Sequence, residues 1–233
     1  MSHQYPNDNA RLSDLWIMIQ AGNSTTVSTI CFLLCDLSKN RDIQTKLSLI
    51  LSEFMPKHPN FKTNDKNNNN DDDDDDDDDV IKEDNELLSK IANCEYLNHC
   101  IKESMRLWPG CGGSIRDMEN DLYYDNMLLP KGSTIIIHHH AIFRADWINN
   151  PHQYDPNRWL DTNPQLSKLK EMFTPFGIGK RGCIGQNMAM FQIRIIIAYF
   201  ICYFEFEFVQ EPIFNLFLSM KAISLMMKVH KRM

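Results

Sequence analysis

The stretch "FTPFGIGKRGCIGQNMAM", Phe173 to Met190, sets one cysteine among four glycines and two cations. Glycines free the backbone for positive φ and for close approach to a bulky flat group. A helix that starts after Cys183 would favour a thiolate, as would Lys180 and Arg181. The stretch therefore predicts a loop that holds an anionic sulfur, for covalent catalysis or for metal ligation. A lone cysteine is more often a small buried side chain, so other features must decide.

The cysteine pattern indicates the cellular compartment. Seven cysteines are scattered without a C-x-x-C pair, and the chain starts with the polar stretch "MSHQYPNDNA". The scattered cysteines do not match a disulfide framework, and the polar first residues do not match a secretory signal. This pattern is typical of proteins in a reducing compartment. We therefore expect an intracellular location.

Charge and hydropathy argue against two classes of protein. Nine consecutive aspartates, Asp71 to Asp79, account for more than the whole net charge of -7, so the remainder is close to neutral. It lacks the basic field typical of nucleic-acid binding. The longest apolar run, Ile195 to Phe204, has ten residues, whereas a membrane-spanning helix needs roughly 20. We predict no nucleic-acid partner and no membrane span.

Helical periodicity dominates the chain. Residues 9 to 55 are almost free of Pro and Gly, and their apolar spacing predicts a long buried helix and a second helix from about Arg41. The pattern returns from Asn85 and stops at Trp108-Pro109, because proline ends helices. Another helix, very apolar and hence deeply buried, is predicted from Gln186 to Phe204.

A low-complexity run, "NDKNNNNDDDDDDDDD", interrupts the helices. It repels itself and has no apolar surface to bury, so residues 60–84 are predicted to be a disordered insertion. A tolerated surface loop is the plain interpretation, and calcium or partner binding is the alternative. The insertion separates residues 1–59, with the first two helices, from residues 85–233.

The pattern changes after Pro109. The stretch "DLYYDNMLLPKGSTIIIHH" alternates turn residues with short apolar runs, which indicates a small cluster of strands. The tail after Pro212 is predicted to form strands or a hairpin. These features predict an α+β fold that is mainly α-helical, with a small β cluster between the later helices.

The cysteine stretch contains the motif F-x-x-G-x-R-x-C-x-G. Its fixed positions are Phe176, Gly179, Arg181, Cys183 and Gly185. Five fixed positions within ten residues make a specific pattern. The motif is similar to the signature of the cytochrome P-450 haem-thiolate monooxygenases.

Three further motifs, in the same order as in that family, support the resemblance. "KESMRLWP" carries E-x-x-R with Glu103 and Arg106, which lie on one face of a helix and can pair. "YDPNRW" resembles the family's P-x-R element, so Arg158 is expected to join them in a buried charge network behind the haem. "AGNSTT", Ala21 to Thr26, resembles the A-G-x-acid-T motif of the family's oxygen-side helix.

The resemblance implies roles for individual residues. Haem b is the expected cofactor, with the Cys183 thiolate as axial iron ligand, donating electron density that favours O–O cleavage. The glycines let the loop approach the ring, and Phe176, Gly179 and Gly185 are expected to be among the cofactor-binding residues. Arg181 and Arg116 are expected to pair with the haem propionates. Thr25 is expected to pass protons on the oxygen side. Ser24 stands where the family usually has Asp or Glu, which weakens the proton relay.

The resemblance covers about residues 10 to 230 but only the C-terminal half of the family fold. Residues 85–233 are then the haem-binding core of a truncated chain. The implied reaction inserts one atom of dioxygen into an apolar small-molecule substrate, with electrons from a flavoprotein reductase or an iron–sulfur donor. The expected location is the cytoplasm, or the cytoplasmic face of a membrane if an N-terminal anchor preceded the chain.

Two other interpretations stay open. The first is a catalytically inactive truncated relative with weak or no haem binding. The second is an acidic interaction protein in which the aspartate run is the functional part, although this leaves the four ordered motifs unexplained. Haem stoichiometry distinguishes the monooxygenase from both.

Overall fold

The computed structural model describes residues 6–57, 76–216 and 220–232, and within them the fold is built from seven helices and eight short strands. The helices are α1 (Asp8–Lys39), α2 (Arg41–Ser52), α3 (Asp76–Asn93), α4 (Glu95–Leu107), α5 (His139–Ile142), α6 (Leu166–Met172) and α7 (Gln186–Tyr203). The strands are β1 (Ser114–Asp117), β2 (Leu122–Tyr124), β3 (Met127–Leu129), β4 (Thr134–Ile137), β5 (Phe204–Phe208), β6 (Ile213–Leu216), β7 (Met220–Ser224) and β8 (Met227–Lys231). This arrangement confirms the predicted α+β fold.

The first two helices are those that the apolar spacing predicts. The side chain of Asn7 accepts a hydrogen bond from the backbone N–H of Ala10 at 2.9 Å and so caps the start of α1. At the other end, both the backbone N–H and the side-chain amide of Asn40 donate to the carbonyl of Asp36. These bonds satisfy groups at the end of α1, and α2 starts at once.

Only the C-terminal half of α1 is buried, so the prediction of a buried helix is wrong for the N-terminal half. The described elements pack against the helix from Thr26 onward. Earlier apolar side chains face solvent, among them Leu12, Leu15, Trp16 and Ile19. Spacing along the chain identifies the apolar side chains of a helix but not which other elements will cover them.

Among the described helices, α1 alone is long and apolar enough to cross a membrane. The prediction of no span counts only unbroken apolar runs. In α1 the apolar runs are interrupted by Ser, Thr and Asn, which are polar but uncharged, so the helix is still apolar on average. An 18-residue window of α1 has a mean hydropathy of 1.3. Core helices of globular proteins meet the same criterion, and most of residues 26–38 of α1 are buried in this protein.

Helix α3 begins earlier than the sequence predicts. Residues 60–75 of the predicted disordered insertion lie outside the described residues, but Asp76 to Asp84 are helical. The prediction of disorder is therefore wrong for residues 76–84, which belong to α3.

The helix predicted from Asn85 to Leu107 is broken at Cys94, whose backbone is extended with φ -64° and ψ 102°. The side-chain amide of Asn98 donates to the carbonyls of Ala92 and Cys94, both at 3.0 Å. The amide thereby satisfies carbonyls at the end of α3. As predicted, α4 ends just before Trp108-Pro109.

The described strands form four two-stranded antiparallel sheets. The strand cluster predicted after α4 is present as the pairs β1–β4 and β2–β3. Asp125 and Asn126 connect β2 to β3 with φ of 45° and 63°, the left-handed values of a tight hairpin turn. In the tail, β6 pairs with β7 and β5 pairs with β8. Phe204, which is predicted to end the last helix, is the first residue of β5.

The main core lies between α1, α4 and α7. Its fully buried members include Leu33, Leu37, Leu97, Ile101 and Ile197. Burying each such side chain contributes about 1.5–3 kcal/mol. This core holds α4, with its E-x-x-R motif, against α1. Helix α7 is less deeply buried than predicted, because α1, α2, α3 and α4 cover only one of its faces. The buried residues of α7 are Ile193, Ile197, Ala198 and Ile201.

Candidate functional site

The Cys183 loop is a short 3-10 turn that leads into α7. Gly177 and Gly179 adopt φ of 71° and 67°, a region that side chains other than glycine rarely occupy. The backbone N–H of Cys183 donates to the carbonyl of Phe176 at 2.8 Å and closes the loop. The glycine spacing thus produces a loop that holds the cysteine just before the N-terminus of α7.

The Cys183 thiol is free and exposed. A β-carbon added to Gly185 would lie 4.0 Å from Sγ of Cys183, so this glycine passes close to the sulfur. Arg181 is exposed in the turn. Apolar side chains that neighbour the cysteine in sequence are also uncovered, namely Ile178, Met188 and, at 91% exposure, Ile184. The loop combines an accessible sulfur, a guanidinium and uncovered apolar surface.

Thr25 and Ser24 lie where the exposed half of α1 meets its buried half, and both are half-buried. The Thr25 hydroxyl donates to the carbonyl of Ala21 at 2.8 Å, a common local bond for threonine in a helix. At Gly22 an added β-carbon would meet nothing within 4 Å. The residues predicted to lie on the oxygen side therefore adjoin an uncovered stretch of helix.

The segment from Pro109 to Gly113 links the two sets of predicted residues. A β-carbon at Gly110 would lie 3.6 Å from Cβ of Thr25, so the backbone passes directly against α1. At the next residue, burial raises the pKa of the Cys111 thiol, and the nearby charge of Cys183 raises it further. Gly110 therefore contacts Thr25, and the next residue, Cys111, is close enough to Cys183 to interact with it electrostatically.

Arg116 lies on β1, which Gly113 allows to approach β4. A β-carbon at Gly113 would stand only 2.5 Å from the carbonyl oxygen of Ile137. The Arg116 guanidinium donates to the carbonyl of Ile115 at 2.8 Å. Among the described residues, neither Arg116 nor Arg181 forms an ion pair with a carboxylate. Both guanidinium groups can therefore bind an added anion.

The structure brings Glu103, Arg106 and Arg158 together in the interior. Arg106 and Glu103 are fully buried, and Arg158 is 7% exposed. The Glu103 carboxylate accepts two hydrogen bonds from Arg106, at 2.9 and 3.0 Å, and one from Arg158 at 3.1 Å. The charges compensate one another where water does not reach, as a buried ionic group requires.

Sequence reasoning missed the rest of this network. The Glu103 carboxylate also accepts the indole N–H of Trp159 at 3.0 Å and the backbone N–H of Asp155 at 3.1 Å. The spare N–H groups of the two arginines donate to loop carbonyls of Phe143, Asn149, Asn150, Pro151 and Gln153. Trp159 stands beside Arg158 in the sequence, which is a signal for the indole donor. The backbone partners leave no sequence signal.

Comparison with known proteins agrees with this architecture. The family model described as cytochrome P450 matches residues 77–229. The chain belongs to the cytochrome P450 family. A crystal structure of a cytochrome P450, CYP102L1, has the same fold, with a TM-score of 0.80 at 22% sequence identity. The match covers 100% of this chain and 48% of that P450.

Curated P450 relatives match most of this chain but only part of their own length. Cytochrome P450 CYP12A2 of Musca domestica is 30% identical over 215 residues, which are 87% of this chain and 35% of the relative. The mitochondrial 1,25-dihydroxyvitamin D(3) 24-hydroxylase of Rattus norvegicus is 24% identical over 202 residues, 84% and 34% of the two chains. This chain thus spans about a third of their length. Names that place relatives in mitochondria do not support the cytoplasmic location expected above.

The residues of this P450 chain fit a haem. Cys183 offers a free, accessible thiol as a ligand for iron. Arg181 and Arg116 offer guanidinium groups, which suit the two carboxylates of the porphyrin. Ile178 and Ile184 offer uncovered apolar surface to a flat apolar ring. Each part of the cofactor therefore has a chemically matched group on this chain.

Proposed function

We propose that this P450 chain is the haem-thiolate part of a monooxygenase-type oxidoreductase, which inserts one oxygen atom of dioxygen into an apolar organic substrate. The accessible Cys183 thiol, held in a closed glycine loop on a P450 fold, carries the proposal. Covalent catalysis by the same thiol has less support, because the structure pairs no general base with Cys183 among the described hydrogen bonds.

Haem, when bound, supplies the activation of dioxygen. Cys183 would hold the cofactor through its sulfur, and the N-terminus of α7 together with Lys180 and Arg181 would place positive charge beside that ligand. The guanidinium groups of Arg181 and Arg116 would bind the haem carboxylates and so orient the ring. The glycines around Cys183 would let the loop backbone approach the ring closely.

Thr25 is the proposed proton carrier on the opposite side. Its hydroxyl donates to the carbonyl of Ala21 here, and rotation about one bond would present the same proton to another acceptor. Ser24 supplies no carboxylate beside it. We therefore infer that proton delivery is slower than with Asp or Glu at this position.

Electrons must come from a protein donor, a flavoprotein reductase or an iron–sulfur protein. Candidate contacts on the Cys183 side are Lys168, Lys170 and Lys180. The ammonium group of Lys168 lies 4.3 Å from the ring centre of Trp147, and that of Lys170 lies 3.8 Å from Asp161, while Lys180 is exposed in the turn. An anionic patch on the donor would complement these charges.

An inactive relative with weak or no haem binding is the second candidate. The exposed N-terminal half of α1 favours it, because Trp16 and Ile19 are 63% and 62% exposed next to the proposed oxygen side. A site open to water binds an apolar ring less strongly than a closed one. Ser24 in place of an acid points the same way.

Reconstitution with haem tests the proposal. Purified chain is mixed with haem, reduced and exposed to carbon monoxide, and we expect the red-shifted absorption peculiar to thiolate ligation. Cys183→Ser should abolish this absorption, whereas Cys111→Ser and Cys31→Ser should keep it. Persistence in Cys183→Ser would show that the ligand assignment is wrong. No haem uptake by the wild-type chain would support the inactive relative.

A further inference from the structure

His139 is a buried histidine to which the proposed chemistry gives no role. It is the first residue of α5 and is 4% exposed. Its Nε2 lies 3.2 Å from the hydroxyl oxygen of Ser114, the first residue of β1. Its Nδ1 is buried without a hydrogen-bond partner among the described residues. The bond to Ser114 therefore fixes the direction in which the ring nitrogens point.

The His139 ring rests on a row of aromatic side chains. It stacks on Phe143, with ring centres 5.4 Å apart and an interplanar angle of 9°. Phe143 packs on Phe173 at 5.3 Å, and Phe173 packs on Trp159 at 4.7 Å. The carbonyl of Phe143 accepts from Arg106, and the indole of Trp159 donates to the same buried ionic network. The row is thus tied to this network at two points, which holds the His139 ring in place.

Ser114 and Arg116 lie on the same face of β1. Residues two apart in a strand point to the same side. Exposure along β1 alternates accordingly, since Ser114 and Arg116 are half-buried whereas Ile115 and Asp117 are exposed. Because His139 is bonded to Ser114, its ring lies on the Arg116 side of the strand.

The surroundings of His139 favour a neutral ring. Burial lowers the pKa of His139, and the charges of His138 and Arg116 lower it further, although an interaction with the Cys111 backbone raises it. One nitrogen of a neutral imidazole accepts a hydrogen bond, so Nε2 can accept from the Ser114 hydroxyl. The bond therefore holds β1 without adding a second positive charge beside the Arg116 guanidinium.

We propose that His139 is a positioning residue for Arg116. Its ring, held on the aromatic row, bonds to Ser114 and thereby sets where β1 presents the Arg116 guanidinium. Pairing of strands gives β1 little other support, because it has four residues and pairs only with β4 among the described strands. Binding of haem carboxylates by Arg116 rests on the proposed function, whereas the placement of Arg116 by His139 does not require haem.

Arginine NMR of the haem-free chain tests the placement directly. In chain labelled with ¹⁵N-arginine, the backbone and Nε signals of Arg116, assigned with Arg116→Ala, should move in both His139→Phe and Ser114→Ala. Each variant removes the bond between the two side chains, and His139→Phe keeps a ring that can stack on Phe143. His140→Phe, at the next position, is the matched control and should leave the signals in place. Arg116 signals that stay in place in Ser114→Ala overturn the proposal.

Binding of haem and of haem dimethyl ester gives a measurement at the proposed site. The ester lacks the two free carboxylates, so the ratio of the two affinities reports the guanidinium contacts, whereas a loss of overall stability weakens both ligands alike. We expect wild type to bind haem at least about tenfold more tightly than the ester. Arg116→Ala should lower this ratio.

The His139 and Ser114 variants should change the same ratio. His139→Phe and Ser114→Ala should each lower it toward the value of Arg116→Ala, and the double variant should lower it no further, because both changes remove one bond. His139→Gln, whose side-chain oxygen can accept from the Ser114 hydroxyl, should restore part of the ratio. His140→Phe should keep the wild-type ratio.

The results distinguish the positioning role from the proposed function. If wild type takes up neither ligand or binds both equally, the haem contacts assigned to the arginines are wrong, and the Arg116 signals of the haem-free chain decide the role of His139. A wild-type ratio in His139→Phe, when Arg116→Ala lowers it, overturns the positioning role. If His139→Phe does not fold, Ser114→Ala provides both measurements.

Discussion

Arg106 and Glu103 form a doubly hydrogen-bonded ion pair in the protein interior, with Nε to Oε2 at 3.0 Å and Nη2 to Oε1 at 2.9 Å. Both side chains are fully buried. The other Arg106 hydrogen bonds go to the carbonyls of Phe143, Pro151 and Gln153. The planar fork of a guanidinium can make all these bonds at once, which a lysine cannot. The pair therefore attaches the loop after α5 to α4.

Arg106→Ala should destabilise the fold by about 3–5 kcal/mol, because it leaves the Glu103 carboxylate without its main partner in the core. Urea unfolding measures the loss. Arg11→Ala is the matched control, since the exposed pair of Arg11 with Asp8 at 3.2 Å should contribute less than about 1 kcal/mol. Equal effects of the two variants would mean that the buried pair is not needed for stability.

Two glycine-to-alanine variants should have opposite effects. Gly113→Ala should destabilise by about 1–3 kcal/mol, because its β-carbon would stand 2.5 Å from the Ile137 carbonyl oxygen and push β1 from β4. Gly22→Ala should stabilise α1 by about 0.5–1 kcal/mol, since the position is open and alanine suits a helix interior better. Thermal unfolding compares them. A stable Gly113→Ala protein contradicts the tight approach of β1 to β4.

Gln44→Ala should destabilise the protein by about 2–4 kcal/mol, because it leaves buried polar groups without partners. The Gln44 amide donates to the carbonyls of Leu37 and Phe206 and accepts from the backbone N–H of Phe206, at 2.9–3.0 Å. Urea unfolding should show the loss. Thr45→Ala, at the exposed neighbouring position, should change stability by less than about 0.5 kcal/mol. Similar values would show that β5 does not depend on this bridge.

His140 should make the fold less stable in acid. Burial, and then the neighbouring Arg144 charge, lower the pKa of His140 from 6.5 to about 4. The fold keeps this ring neutral while the unfolded chain protonates it, so its stabilising contribution is present above about pH 6.5 and lost as pH falls to about 4. As pH falls over this range, His140→Gln should lose less stability than the wild type. His230→Gln, at an exposed position, should lose at least as much as the wild type. Parallel pH profiles for wild type and His140→Gln would contradict the assignment.

When the haem-loaded chain is supplied with a reductase, most of the electrons from the reduced cofactor should end in peroxide and few in oxidised substrate. The exposed half of α1 would leave the proposed oxygen side open to water, and a wet site loses reactive species before they meet a substrate. Ser24→Glu should improve proton delivery but not close the site, so peroxide should remain the main product. Peroxide release relative to reduced cofactor consumed is the measurement. Tightly coupled turnover would mean that another polypeptide or a rearrangement covers α1.

The sequence alone was sufficient to predict features that depend on local chemistry. The glycine spacing around Cys183 predicts its loop, because positive φ at Gly177 and Gly179 is a property of the residues themselves. The i, i+3 spacing of Glu103 and Arg106 puts them on one helix face, and the structure shows them paired. The end of α4 before Pro109 and the hairpin turn at Asp125-Asn126 likewise follow from the local properties of these residues.

Tertiary structure alone decided the features that depend on neighbours distant in the sequence. Exposure of Trp16, burial of Asp36 and the contact of Gly110 with Thr25 depend on which elements pack together. The loop carbonyls that accept from Arg106 and Arg158 belong to the backbone, so no residue type in the sequence signals them. Burial raises the pKa of the Asp36 carboxyl group to about 7, whereas its residue type alone predicts an ordinary aspartate.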